Sequence, residues 1–134
     1  MDSYRKLMFK TSTYASVPEY GESLRLGIYQ AQAAYGPGAS AKNMDRLEEV
    51  ARIAKERGVQ LLSFPELYVP GYTLSSKEAP KVAEFVDGPS ITRACRIASE
   101  LKMAMLVPYA EKPKWMGKSN ITTPLRESMK KASW

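Results

Sequence analysis

Three short apolar runs, LRLGIYQ from Leu24, VQLLSF from Val59 and AMLVPYA from Ala104, alternate with segments of helical period. That order, β-α-β-α-α-β, constrains the chain more than any other feature. Strands separated by helices are joined by crossovers rather than hairpins, which implies an α/β fold. In the first run Leu24, Leu26, Ile28 and Gln30 share one face at period two. The third run is almost continuously apolar, as strands covered on both faces usually are.

The segments between the runs carry their own signals. AYGPGAS predicts a loop closed by Ser40 as helix N-cap. From Ala41 to Arg57 the positions Met44, Leu47, Val50 or Ala51, and Ala54 fall at helical spacing. Asp45, Glu48 and Glu49 come early and Lys55 and Arg57 late, matching the helix dipole. Gly58 suits the left-handed residue just past a helix end. A helix is expected over Lys77–Val86, interrupted early by Pro80, and another over Ile91–Lys102 with Ile91, Ala94 or Cys95, Ala98 and Leu101 on one face. Asp87, Gly88 and Pro89 punctuate the two, with Ser90 near the second start.

The flanks read differently. Residues 1–23 show no sustained period and predict a flexible extension. Arg5, Lys6 and Lys10 among Ser and Thr faintly suggest a mitochondrial presequence, against which Asp2 and a weak amphipathic pattern argue. The default compartment is the cytoplasm. The net charge of +6 sits almost wholly in residues 112–134, where six basic groups meet one acidic. A solvated basic tail over 113–134 is the plain reading, and no motif supports a nucleic-acid partner. No run of apolar residues is long enough to suggest a membrane span.

Composition narrows the chemistry. There is no histidine, so triads built on an imidazole base are excluded, and any base must be a carboxylate or a lysine. With one cysteine, Cys95, and no histidine, neither an internal disulfide nor a zinc-type cluster is expected. Burial in the third helix is the expectation for Cys95.

The segment Phe64-Pro65-Glu66-Leu67-Tyr68-Val69-Pro70-Gly71-Tyr72 places a carboxylate where a strand ends, the location of ligand crevices in α/β sheets. Pro65 fixes its own φ and holds Phe64 extended, so Glu66 is delivered on stiff backbone. From the residues alone Glu66 is either a strand-end or capping carboxylate or a general base. Tyr68 and Tyr72 either line a pocket or pack beneath it, and Tyr29, Tyr35 and Tyr109 read as packing or solvent-facing residues.

Five motifs in order resemble the N-terminal half of the nitrilase superfamily of carbon-nitrogen hydrolases. LRLGIYQ matches its first strand, Asn43–Leu47 its first helix, FPELYVPGY its glutamate-bearing loop, DGPS a helix entry, and VPYAEK the strand and turn beyond. The resemblance spans Leu24–Lys112. It implies part of a four-layer αββα sandwich and hydrolysis of a non-peptide carbon-nitrogen bond in a small amide, nitrile or carbamoyl compound, by a Glu-Lys-Cys mechanism without metal or organic cofactor. It makes Glu66 the general base, and Tyr68 and Tyr72, which share its loop, are the substrate-pocket candidates.

After Lys112 the residues PKWMGKSNITTPLRESMKKASW do not match the family's lysine motif or its cysteine elbow. Lys114 and Lys118 lack the lysine's context, Cys95 lacks the elbow, and Glu111 resembles a structural turn residue. These residues alone are therefore expected to be inactive, and half a sandwich to be weakly stable. The alternative is a non-catalytic protein that binds a full-length relative in a homo- or hetero-oligomer through unpaired sheet edges and uncovered apolar faces.

Overall fold

The computed structural model describes residues 7–12 and 23–112. The basic stretch with Lys114 and Lys118, and most of the N-terminal extension, lie outside these residues. Strands β1 (Leu26–Ile28), β2 (Leu61–Ser63) and β3 (Ala104–Leu106) form a parallel sheet in the order β1-β2-β3. Leu62 of the central strand lies opposite Gly27 on one side and Met105 on the other. This is an α/β fold, and its elements follow the order read from the sequence.

Helix α1 (Ala39–Glu56) joins β1 to β2, and α2 (Ala79–Val82) and α3 (Pro89–Leu101) join β2 to β3. Successive crossovers of one hand in a sheet that grows in one direction place their helices on the same face. Helices α1 and α3 do pack together, and their apolar stripes close over Leu62. Met44, Leu47, Val50, Ala51 and Ala54 of α1 and Ala94 and Ile97 of α3 form one buried cluster with Leu62, Phe64, Tyr68, Val69 and Met103. Gly27 lies on this covered face, where a Cβ would come within 3.0 Å of Val59 Cγ1.

The other face is open. Side chains alternate along a strand, so Leu26, Ile28, Leu61, Ser63, Ala104 and Leu106 share it. Leu26, Ile28 and Leu106 are 52%, 65% and 55% exposed. The third strand is thus covered on one face among the described residues, not on both as its continuous apolar run predicts.

Local departures have tertiary causes. Helix α1 starts earlier than Ala41, with Gly38 in the cap position and no side-chain cap, so Ser40 lies inside the first turn. The acidic residues consequently sit too deep for the N-terminal dipole. Asp45 and Glu48 pair with α3 instead, each accepting a hydrogen bond from Arg93 (2.8 Å), while Glu48 also accepts one from Arg52 of α1 (2.7 Å) and Glu49 pairs with Arg46 of α1. Arg93 first, then Arg52, hold the Glu48 carboxyl below its ordinary value.

Helix α2 is one turn rather than ten residues because Ala83 is extended (ψ 136°) and Glu84 bridges to the chain beyond β3. Glu84 N–H donates to Ala110 O and Lys112 N–H to Glu84 O. The Glu84 carboxylate also accepts from Ser90 N–H (2.8 Å) and Ser90 Oγ (2.6 Å), satisfying a donor of the first turn of α3. Gly58 adopts the expected left-handed conformation (φ 77°) after α1. Near the N-terminus Leu7 packs against the core, and the Arg57 guanidinium lies 3.6 Å from the centre of the Phe9 ring.

Cys95 is a correction. It is exposed, because the buried stripe of α3 runs through Ala94 and Ile97, and the next position along turns away by about 100°. Of the two alternatives for that stripe, Ala94 holds the inward place.

Candidate functional site

In a parallel sheet every strand ends at the same edge, so the segments that follow β1 and β2 emerge side by side. Between them lies an open cleft of about 280 Å³, lined by Ala31, Gln32, Ala33 and Tyr35 after β1 and by Pro65, Glu66, Tyr72 and Thr73 after β2. Pairing continues briefly past the strands: Tyr29 N–H donates to Ser63 O (2.9 Å) and Phe64 N–H to Leu106 O (3.1 Å). Glu66 therefore projects two residues beyond a backbone that is still held in the sheet.

The turn that carries Glu66 is strained. Leu67 has φ 49°, a left-handed conformation that costs a side-chain-bearing residue about 1–2 kcal/mol. Such outliers persist where the surroundings impose them and cluster at functional sites. Here the surroundings are identifiable: Gly71 N–H donates to Leu67 O (3.0 Å) and Val69 N–H to Pro108 O (3.2 Å). Gly71 itself has φ 87°, and a Cβ there would lie 2.3 Å from Ala34 O. Only glycine lets the two cleft loops meet backbone to backbone at this point.

Glu66 is exposed to the cleft and makes no hydrogen bond or ion pair to another described residue. It caps no helix and forms no salt bridge among the described residues, and of the plainer roles open to it from the sequence it keeps the strand-end position, just past β2. A carboxylate with free lone pairs can accept a proton from a group brought beside it.

The two tyrosines part company. Tyr72 lines the cleft and is 67% exposed. Tyr68 is 1% exposed and lies beneath the site, its ring 5.0 Å from Phe64 and edge-on at 5.9 Å to Tyr29. Burial pushes its phenol above the ordinary tyrosine value, with the nearby Tyr29 adding to the shift. Tyr68 does not reach the cleft because its position in the loop faces the helices. Tyr35, read as packing or solvent-facing, lines the cleft, and Tyr29 has a partner, accepting a hydrogen bond from Arg46 Nε at 3.4 Å. Tyr109 is half-buried, and its phenol is pushed upward, chiefly by burial and then by Glu111 and Glu84. Glu111 lies in the bridge to Glu84, away from the cleft lining.

One residue that sequence reasoning passed over as a helix match is central to this geometry. Asn43 on α1 is buried and hydrogen-bonded to both cleft loops. Its signal was a polar amide on an apolar helix stripe, one turn before Leu47, where burial requires a partner.

Among the described residues no three His, Cys, Asp or Glu side chains gather to hold a metal ion, and no helix is long and apolar enough to cross a membrane.

A hydrolase of Pseudomonas protegens, described as "Hydrolase in pqqF 5'region", is 33% identical over 91 residues, which are 68% of this chain. The matched part is 30% of the length of that relative. The family model for carbon-nitrogen hydrolases matches residues 25–124, running past Lys112, where the motifs recognised in the sequence end. With a parallel sheet that ends in the glutamate-bearing loop and a match over most of its length, the chain belongs to the carbon-nitrogen hydrolase family.

Proposed function

We propose that this chain contributes the general base, Glu66, to hydrolysis of a non-peptide carbon-nitrogen bond in a small amide, nitrile or carbamoyl compound. The observation that carries the reading is Glu66 itself, an unpaired carboxylate held by a strained turn at the carboxyl end of the central strand. In the Glu-Lys-Cys mechanism that the family resemblance implies, Glu66 takes the proton of a cysteine thiol. The thiolate attacks the carbonyl or nitrile carbon, and a lysine stabilises the charge that develops on oxygen or nitrogen. Glu66 returns that proton to the departing amine or ammonia of an amide, which leaves a thioester, and the regenerated carboxylate then activates the water that cleaves it. Tyr72 and Tyr35 line the substrate side of the cleft. No metal or organic cofactor takes part.

The thiol and lysine have no match among the motifs of Leu24–Lys112, and Cys95 lies on the solvent face of α3. The 134 residues by themselves are therefore inactive. Ammonia release from small amides and nitriles tests this. No turnover is expected, and turnover that exceeds a Glu66→Gln control and disappears in Cys95→Ser would show that Cys95 serves as the thiol. A thiol mechanism suits a reducing compartment, and the cytoplasm is the proposed location.

A second reading, in which the chain binds a full-length relative without catalysing, is favoured by the open apolar sheet face of Leu26, Ile28 and Leu106. Sedimentation of the chain mixed with such a relative distinguishes the two. Formation of a complex that Ile28→Asp abolishes supports this second reading, and two independently sedimenting species oppose it.

A further inference from the structure

The cleft is built from two loops, and the β1–β2 ladder stops at the bond from Tyr29 N–H to Ser63 O, before either loop begins to line it. Among the described residues, the hydrogen bonds that join them further out come from one side chain of α1. Asn43 Oδ1 accepts from Ala34 N–H (2.8 Å), and Asn43 Nδ2 donates to Ala34 O (2.8 Å) and to Val69 O (3.0 Å). Both amide hydrogens and the carbonyl are thus engaged. The residue is 3% exposed, so water does not readily replace any of these partners.

We infer that Asn43 is a positioning residue for Glu66. By tying Ala34 and Val69 to one rigid helix, it sets the separation between the wall that carries Tyr35 and the turn that carries Glu66. The chemistry of the amide fits the task closely. Aspartate keeps the acceptor for Ala34 N–H but sets a carboxylate against two carbonyl oxygens. Serine is too short to span both loops. The close approach of Gly71 is to Ala34 O, one of the two carbonyls that Asn43 holds. The left-handed Leu67 stands at the base of the same turn, where relaxation would begin if the clamp were released. The inference rests on reading Glu66 as the functional carboxylate.

The test compares the 134-residue chain with its N43D, N43S and G71A variants by amide hydrogen exchange and by the side-chain carboxyl ¹³C resonance of Glu66, assigned with E66Q. In the unmodified chain the Ala34 amide is protected. In N43S the amides of Ala34 and Gly71 exchange about tenfold faster or more, while Phe64, bonded to Leu106 O, keeps its protection. In N43D Ala34 stays protected and Gly71 does not. The Glu66 resonance shifts or broadens in all three.

A lowered melt with the Glu66 resonance unmoved, or with protection lost equally at Phe64, would reduce Asn43 to a purely structural role and overturn the inference. If neither Asn43 variant folds, G71A decides, because it leaves Asn43 in place and drives the loops apart. An unmoved Glu66 resonance there overturns the inference as well. None of these readouts depends on turnover, so a Glu66 that proves non-catalytic and an Asn43 that does not position it are separate results.

Discussion

The two faces of the sheet should respond very differently to the same kind of truncation. Leu62 on the covered face is 3% exposed and belongs to the core cluster of α1 and α3. Leu62→Ala removes buried methyl groups and leaves a cavity, at a cost of about 2–5 kcal/mol. Ile28 and Leu106 on the open face are 65% and 55% exposed. Each has only about half or less of its side chain out of water, so replacement by threonine, itself a β-branched strand former, costs about 1 kcal/mol or less. Folded domains of this size hold only about 5–15 kcal/mol in total. Leu62→Ala therefore lowers the urea midpoint severely, whereas Ile28→Thr and Leu106→Thr leave it nearly unchanged at an unaltered m value. Equal losses on both faces would refute the reasoning, since they would mean that the second face is also buried in solution.

Two further outcomes follow from particular contacts. The folded carboxyl of Glu48 is held below its ordinary value by Arg93 and Arg52. Its contribution to stability is full at neutral pH and is lost as pH falls from the unfolded value near 4.5 through the lower folded one. A Glu48→Gln chain should show a shallower loss of stability in acid titration, and identical acid profiles would count against the α1–α3 ion network. Cys95→Ser should leave stability within about 0.5 kcal/mol, and a thiol reagent should label the exposed Cys95 in the folded chain without prior unfolding. Labelling only on unfolding would contradict its place on the outer face of α3.

The element order was legible in the sequence because apolar period and breaker residues are local properties. Gly58 and Pro65 end their elements where the chain says they should. What escaped was set by distant partners. Helix α2 is cut short by the pairing of Glu84 with residues that follow β3, and Asp45 and Glu48 of α1 serve Arg93 of α3 rather than their own dipole. Cys95 and Ala94 were interchangeable at the level of spacing, and only the approach angle of α3 separates them. At the site, Glu66 was legible because Pro65 and the strand end mark it. The sorting of Tyr68 below the cleft and of Tyr72 and Tyr35 onto its walls was not, since it depends on how two loops meet across Gly71 and Asn43.

The role of Glu66 is most directly tested by grafting residues 25–112 in place of the matching segment of the Pseudomonas protegens hydrolase and measuring turnover of a substrate of that enzyme. A general base at Glu66 predicts an active graft whose kcat falls about 10²–10⁴-fold on Glu66→Gln, with the fold retained. Equal turnover by the Glu66 and Glu66→Gln grafts would contradict it.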